Sequence, residues 1–201
     1  MTKKIDEKKS EKEKSILEAS YILFIEKGIN NTSIQDIVDK AGVAKGTFYL
    51  YFQDKYQLQE KLITRKSHQL FNEALYALKK NNIENFSDGI IFVINYVIDI
   101  LIEKPELISL ISKDLSLGVY SDSLTKIVDN DEIGLYETFM NATKEKDIKL
   151  NNPEVTLFMI IELVSSTCFS SIINKKPLPI EEFKPYLYNA IKSLINQNKD
   201  A

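Results

Sequence analysis

Residues Thr32 to Lys55, TSIQDIVDKAGVAKGTFYLYFQDK, decide how this chain folds. Two short apolar-periodic stretches flank Gly42. The first runs from about Ile34 to Lys40, with Ile34, Ile37, Val38 and Ala41 recurring at helical spacing. Ser33 with Asp36, or Thr32 with Gln35, has capping-box spacing at its start. Gly42 suits the left-handed residue that ends many helices. The second stretch spans about Ala44 to Phe52. A turn this short makes two helices cross steeply, which predicts a helix-turn-helix.

Angles along the second helix separate an inner from an outer side. Phe48 and Phe52 share one side and must bury against Ile37 and Val38. Gly46, Thr47 and Leu50 lie opposite. Lys45 and Tyr49 occupy one flank and Tyr51 the other. An ordinary hairpin with surface tyrosines would need none of this. Yet aromatics fill four of the five positions 48 to 52, and a glycine inside a short helix costs about 1 kcal/mol relative to alanine. DNA binding accounts for both. Gly46 permits close backbone approach. Thr47 can contact base edges, and Leu50 can touch a thymine methyl. Lys45, Tyr49, Tyr51 and Lys55 can bind phosphates. Thr32 and Ser33 place hydroxyls and amides at a helix N-terminus, which favours a phosphate.

From about Ile16 to Leu62 the sequence resembles the TetR family of bacterial transcriptional regulators. The resemblance is carried by ILEAS and LFIEKG before the motif, by TSIQDIVDKAGVAKGTFYLYF, and by DKYQLQEKL after it. It implies an all-helical homodimer whose N-terminal domain binds double-stranded operator DNA and whose C-terminal domain usually binds a small-molecule effector. Two positions depart from the family's habit, Ala44 where Ser is frequent and Tyr51 where His is frequent. Both alter contact details and the operator they would suit.

The fold class expected is all-α. A three-helix DNA-binding domain covers residues 9–55, and a larger helical ligand-binding and dimerisation domain covers residues 56–201. Ser10 and Glu13 have the spacing of a box opening a first helix that ends at Gly28. Ile16, Ala19, Ser20, Leu23 and Phe24 form its inward stripe. Asp54 caps a longer helix to about Lys79, with Tyr56, Leu58, Leu62, Leu70, Phe71, Leu75 and Leu78 as inward candidates. Further helices are expected over about 88–103, 105–117, 121–146 with Gly134 interrupting, 153–173, and 181–198 with Pro185 as a kink or restart. No run keeps strand alternation.

Net charge is −3, which hides an asymmetry. Through Lys66 there are 13 Lys and Arg against 10 Asp and Glu; beyond it there are 13 against 19. A basic head on an acidic body fits a DNA-contacting protein. The charged start, MTKKIDEKKSEKEK, has no apolar stretch of a secretory signal, and a single Cys168 cannot form an internal disulfide. A cytoplasmic location is expected. One His and one Cys cannot close a zinc site, and no phosphate loop or nucleophile elbow appears. Neither an enzyme nor a cofactor is expected.

In the body, Ile90 to Ile102 is apolar nearly all round except at Asn95 and Asp99. A cavity reading puts that pair among Phe92, Tyr96, Tyr120, Tyr136 and Phe139 as a ligand-binding set. A polar pair satisfied in the core, or lying at the helix surface, fits equally. Val155 to Ile173 approaches membrane-spanning length, but Glu162 and the Ser/Thr residues from Ser165 on argue against lipid. Its small residues Ser165, Ser166, Cys168, Ser170 and Ser171 permit close helix approach. With the last helix they could build the two-fold four-helix interface that the family resemblance implies. The reading is a ligand-responsive repressor on a near-palindromic operator, released by a small, largely apolar effector. The alternatives are an effector-independent architectural or division-control protein on the same scaffold, and a helical protein-interaction module.

Overall fold

The computed structural model describes residues 2–111, 116, 119–120 and 134–197. Among the described residues there are nine α-helices, one π-helical turn and no strand. The chain divides into two compact units, Met1–Ile63 and Thr64–Ala201.

The first unit holds α1 (Thr2–Lys27), α2 (Ile34–Ala41), α3 (Lys45–Tyr51) and the start of α4 (Lys55–Lys80). Helix α1 begins well before the expected Ser10. The reason lies in KKIDEKKSEKEK, where strong helix formers follow one another and opposite charges recur three apart in the sequence, as at positions 8 and 11 or 11 and 14. Nothing there stops a helix, so no cap is needed at Ser10. The inward stripe of Ile16, Ala19, Ser20, Leu23 and Phe24 is buried as expected. Gly28, at φ 76°, ends the helix. Ile37, Val38, Phe48, Phe52, Leu58 and Leu62 complete the core of this unit. Each such side chain stabilises by about 1.5–3 kcal/mol relative to exposure.

Leu58 and Leu62 explain why the unit boundary falls inside α4, past the expected break after residue 55. Tyr56 does not join them and is 54% exposed. Two residues from Leu58 is about 200° round a helix, so the two side chains face opposite ways. Asp54 does cap α4, its Oδ1 accepting the Tyr56 and Gln57 amides at 2.8 Å each.

The second unit begins within α4 and adds α5 (Phe86–Glu103), α6 (Pro105–Ile111), α7 (Leu135–Glu145), α8 (Pro153–Phe169) and α9 (Ile180–Gln197). The expected continuation of α6 to Leu117, and the expected helix before Gly134, lie outside the described residues. Gly134, in extended conformation, is the N-cap of α7 and opens that helix. Asn152 caps α8 with Pro153 in its first turn. A π turn, Ser170–Asn174, follows α8 directly. Helix α9 runs unbroken past Pro185.

The core of this unit is made by α5, α8 and α9. Ile94 and Ile98 meet Ile160, Val164 and Cys168 from α8 and Leu187, Ile191 and Ile195 from α9. Helix α8 with its π turn is long and apolar enough to cross a membrane by length and composition alone. Its buried face accounts for part of that hydropathy. Burial pushes the Cys168 thiol up to about 12, which keeps it protonated and inert at neutral pH.

Candidate nucleic-acid interface and body cavity

The α2 N-terminus is closed by a reciprocal box. Ser33 Oγ accepts the Asp36 amide at 3.1 Å and donates to Asp36 Oδ2 at 2.7 Å. The Ser33 amide donates to the same oxygen at 2.8 Å. Lys27 Nζ donates to it as well, at 2.9 Å. The Lys27 bond, then the Ser33 amide and hydroxyl, hold the Asp36 carboxyl well below the usual carboxylate range. Gly42 follows α2 at φ 67° and donates to Asp39 O, while Val43 donates to Val38 O. This left-handed cap turns the chain directly into α3.

Helix α3 then shows two unlike faces. Phe48 and Phe52 are 0% and 2% exposed, with ring centroids 5.7 Å apart. Leu50 is 78% exposed and Tyr49 53%. Lys45 and Gly46 are exposed, and Thr47 and Tyr51 are half-buried. A Cβ built on Gly46 would meet nothing within 4 Å. The protein's own packing therefore gives no reason for glycine there. An apolar side chain as exposed as Leu50, beside a glycine that costs helix stability, describes a surface shaped for a partner that comes close.

Three expected contacts change. Thr32 is buried, and its hydroxyl donates to Gly28 O at 2.8 Å, so it faces the head's interior and offers nothing to a phosphate. Ser33 stays at the surface, but its hydroxyl and amide both serve the Asp36 carboxylate, whose charge opposes a phosphate. Lys55 Nζ donates to Ile29 O at 2.8 Å, Thr32 O at 3.1 Å and Asn30 O at 3.4 Å. It ties down the loop before α2 and does not reach for DNA. No local pattern reveals this, because the acceptors lie far back in the chain. Sequence reasoning also missed Tyr56, an exposed aromatic whose ring centroid is 5.6 Å from Lys55 Nζ.

The second unit contains a cavity of about 140 Å³. Phe71 and Leu75 of α4, Val93 and Val97 of α5, Phe139 of α7, and Ile160 and Ile161 of α8 are among its walls. Among the described residues, the polar side chains lining it are Asn85, Thr138 and Lys146.

Of the seven residues expected to bind a ligand, Phe139 alone lines this cavity. Asn95 and Asp99 turn toward α9. Tyr188 Oη donates to Asn95 Oδ1 at 2.7 Å, Asn95 Nδ2 donates to Asp99 Oδ2 at 2.8 Å, and Lys184 Nζ donates to Asp99 Oδ1 at 3.0 Å. The pair clamps two helices together. Phe92 and Tyr96 sit beside one another, centroids 6.5 Å apart, outside the cavity wall. Tyr120 and Tyr136 form an edge-to-face pair at 5.8 Å, also outside it, and Tyr120 Oη donates to Glu154 O at 3.0 Å. The small-residue stripe on α8 is split too. Ser165, Cys168 and Ser171 are buried within the unit, whereas Ser166 is exposed. The outward face of α8 and its π turn instead carries Val155, Phe158, Met159 and Ile173.

Fold and site together define an all-helical protein with an N-terminal helix-turn-helix head. Residues 16–62 match the family model described as bacterial regulatory proteins, tetR family. The HTH-type transcriptional regulator YvdT of Bacillus subtilis (strain 168) is 38% identical over 114 residues, covering 56% of this chain and 53% of its own length. The TetC protein of transposon Tn10 from Escherichia coli is 32% identical over 90 residues, 45% of this chain and 44% of its own. The chain thus spans about half the length of the curated relatives it matches. Among solved structures, a TetR-family regulator from Syntrophomonas wolfei str. Goettingen has TM-score 0.64 at 20% identity, covering 93% of this chain and 96% of its own. The regulator FadR from Bacillus subtilis, in complex with stearoyl-CoA, has TM-score 0.61 at 18% identity, covering 90% and 96%. These two show the shared fold. The head, residues 16–62, is thus similar to the bacterial regulatory proteins of the tetR family, and the chain shares the fold of the solved regulators above.

Proposed function

We propose that this protein is a homodimeric, ligand-responsive transcriptional repressor acting in the cytoplasm. The observation that carries the reading is α3, anchored by Phe48 and Phe52 while Leu50 stands 78% exposed on the other side. Each head lays α3 in a major groove of a near-palindromic operator, the two half-sites about 34–36 Å apart. Gly46, Thr47 and Leu50 face bases; Lys45, Tyr49 and Tyr51 face the backbone. Partly apolar readout follows, with thymine methyls opposite Leu50.

The body is the control unit. A small, largely apolar effector enters the cavity and favours a conformation with the heads wrongly spaced. It does so only to the extent that it binds that conformation more tightly than the DNA-bound one. Helix α4 starts in the first unit and ends in the second, which suits it to carry the change. The stearoyl-CoA held by FadR supports an effector with an apolar part for a body of this fold, and the cavity of about 140 Å³ here suits a shorter one. Two copies meet through apolar side chains left exposed on α8 and α9, among them Val155, Phe158, Met159 and Tyr186.

The test is selection of bound duplexes from a random-sequence library, followed by mobility shifts. The selected site should be a two-fold repeat. Lys45→Ala with Thr47→Ala should lose most affinity, and affinity should fall steeply with salt. Undiminished binding by the double variant would sink the assigned face.

A further inference from the structure

We propose that the body cavity takes a small apolar carboxylate, about the size of hexanoate or benzoate, with its charge held at Lys146. The inference rests on the body being the ligand-controlled unit and goes beyond it by fixing the ligand's class and size.

Size comes first. A cavity of about 140 Å³ matches the roughly 150 Å³ apolar hole that stays dry and accepts benzene. It falls below the roughly 300 Å³ at which ordinary drug-sized sites begin. The cavity opens on one side, so this size limits the enclosed part of a ligand. Chemistry comes second. The wall is hydrocarbon from Phe71 on α4 to Val164 on α8, so a polar atom carried deep inside would lose its hydration without a partner. The buried part of the ligand is therefore apolar.

The polar end is fixed by the three exceptions in the wall. Asn85 Oδ1 is taken by the Asp88 amide at 3.1 Å, as the cap of α5. Thr138 is half-buried on α7. Lys146, just beyond α7, is exposed at the rim, and its Nζ donates to the carbonyl of Glu84, the neighbour of Asn85. That acceptor is neutral and does not compensate the ammonium, which has three donors. Lys146 is the one charged side chain lining the described wall. A carboxylate gains a charge-assisted bond there. An amine meets a like charge.

Binding to the full-length protein is measured by calorimetry with butanoate, hexanoate, octanoate and decanoate, and with hexan-1-ol and hexylamine. Affinity should rise about fourfold per methylene buried and stop rising at about six carbons, the content of the reference cavity. Hexanoate should bind more tightly than hexanol, and hexylamine least. Lys146→Gln should bring hexanoate down to the level of hexanol and leave hexanol unchanged. Gly89→Ala shrinks the cavity gently, since its Cβ would meet Leu78 Cδ1 at 3.7 Å, an ordinary contact. It should shift the optimum to a shorter chain. Affinity still climbing at decanoate, tightest binding by hexylamine, a Lys146→Gln variant that keeps the acid–alcohol difference, or no binding in the series overturns the proposal. The same ligands are added to the protein–operator complex. Binding as expected without release overturns the ligand-controlled reading alone. Release by compounds of another class, with none of these acids bound, overturns the carboxylate alone.

Discussion

Gly46 stands in α3 where its own fold has no use for a glycine, since a Cβ there would touch nothing. Gly46→Ala should raise the head's unfolding free energy by up to about 1 kcal/mol while weakening operator binding. Denaturant melts and mobility shifts on one preparation separate the two effects. An equal affinity in the variant would remove Gly46 from the close-approach face. Lys55 argues the other way. Its three carbonyl acceptors make it a brace for the loop from Ile29 to Thr32. Lys55→Met should cost roughly 1.5 kcal/mol, the low end for bonds to a charged group, and leave the salt dependence of DNA binding unchanged. A phosphate contact would instead lower the salt slope by about one, which is the change expected of Lys45→Ala. The two lysines look alike in the sequence. What separates them is tertiary, because the carbonyls that take Lys55 come from a loop more than twenty residues earlier. Asp36 adds an acid limit. Its folded carboxyl titrates below the unfolded one, so its contribution is present above about pH 4 and is lost as pH falls below that. Thermal melts from pH 7 to about pH 3 should show the wild type losing stability at the acid end more steeply than Asp36→Asn.

Helices α2 and α3 were legible because each has one apolar face and a turn residue that only certain backbones need. Helix α5 was legible as an element and not as a surface. A helix apolar on all sides gives no angle from which to tell cavity from neighbour, so Asn95 and Asp99 looked equally suited to both. The answer depended on Lys184 and Tyr188, some ninety residues away, which complete the clamp from α9. Burial withdraws the Lys184 ammonium from water, yet the bonds to Glu181 and Asp99 outweigh it and raise its pKa. Burial, with Asp99 nearby, pushes the Tyr188 hydroxyl up to about 12. A raised tyrosine pKa favours the folded state below the unfolded value of about 10, and the benefit disappears as pH climbs toward 12. Tyr120, also at about 12 from burial, gives a second alkaline limb. The informative quantity is thus the difference between wild type and Tyr188→Phe. That variant should lose about 1 kcal/mol at neutral pH for the bond to Asn95, and its deficit should shrink as pH passes 10. A deficit that stays constant to pH 12 would mean that the hydroxyl contributes nothing through its titration.

The proposed two-fold assembly is where local legibility ended. Small residues on α8 suggested a close-packed seam, but three of them are buried within the subunit, Cys168 in the core that α9 shares. Period alone could not show this, because a stripe that permits close approach serves an internal neighbour as well as an external one. The face left outward carries bulkier apolar side chains, with Val155 at 48%, Phe158 at 46% and Met159 at 38% exposure. Burying it against a second copy would link two heads, turning the second half-site contact into an intramolecular event and raising overall affinity by about 10²–10⁴-fold. Val155→Lys with Met159→Lys places two charges one turn apart on that face. The subunit's own core, built on Ile160, Val164 and Cys168, is left untouched. Helical circular dichroism and head stability should therefore persist, sedimentation should show a monomer, and operator affinity should fall by about 10²-fold or more, while binding to an isolated half-site stays the same. A variant that remains dimeric would move the interface off α8. One that becomes monomeric yet holds the full operator at wild-type affinity would show that a single head suffices, and two-headed readout would have to be abandoned.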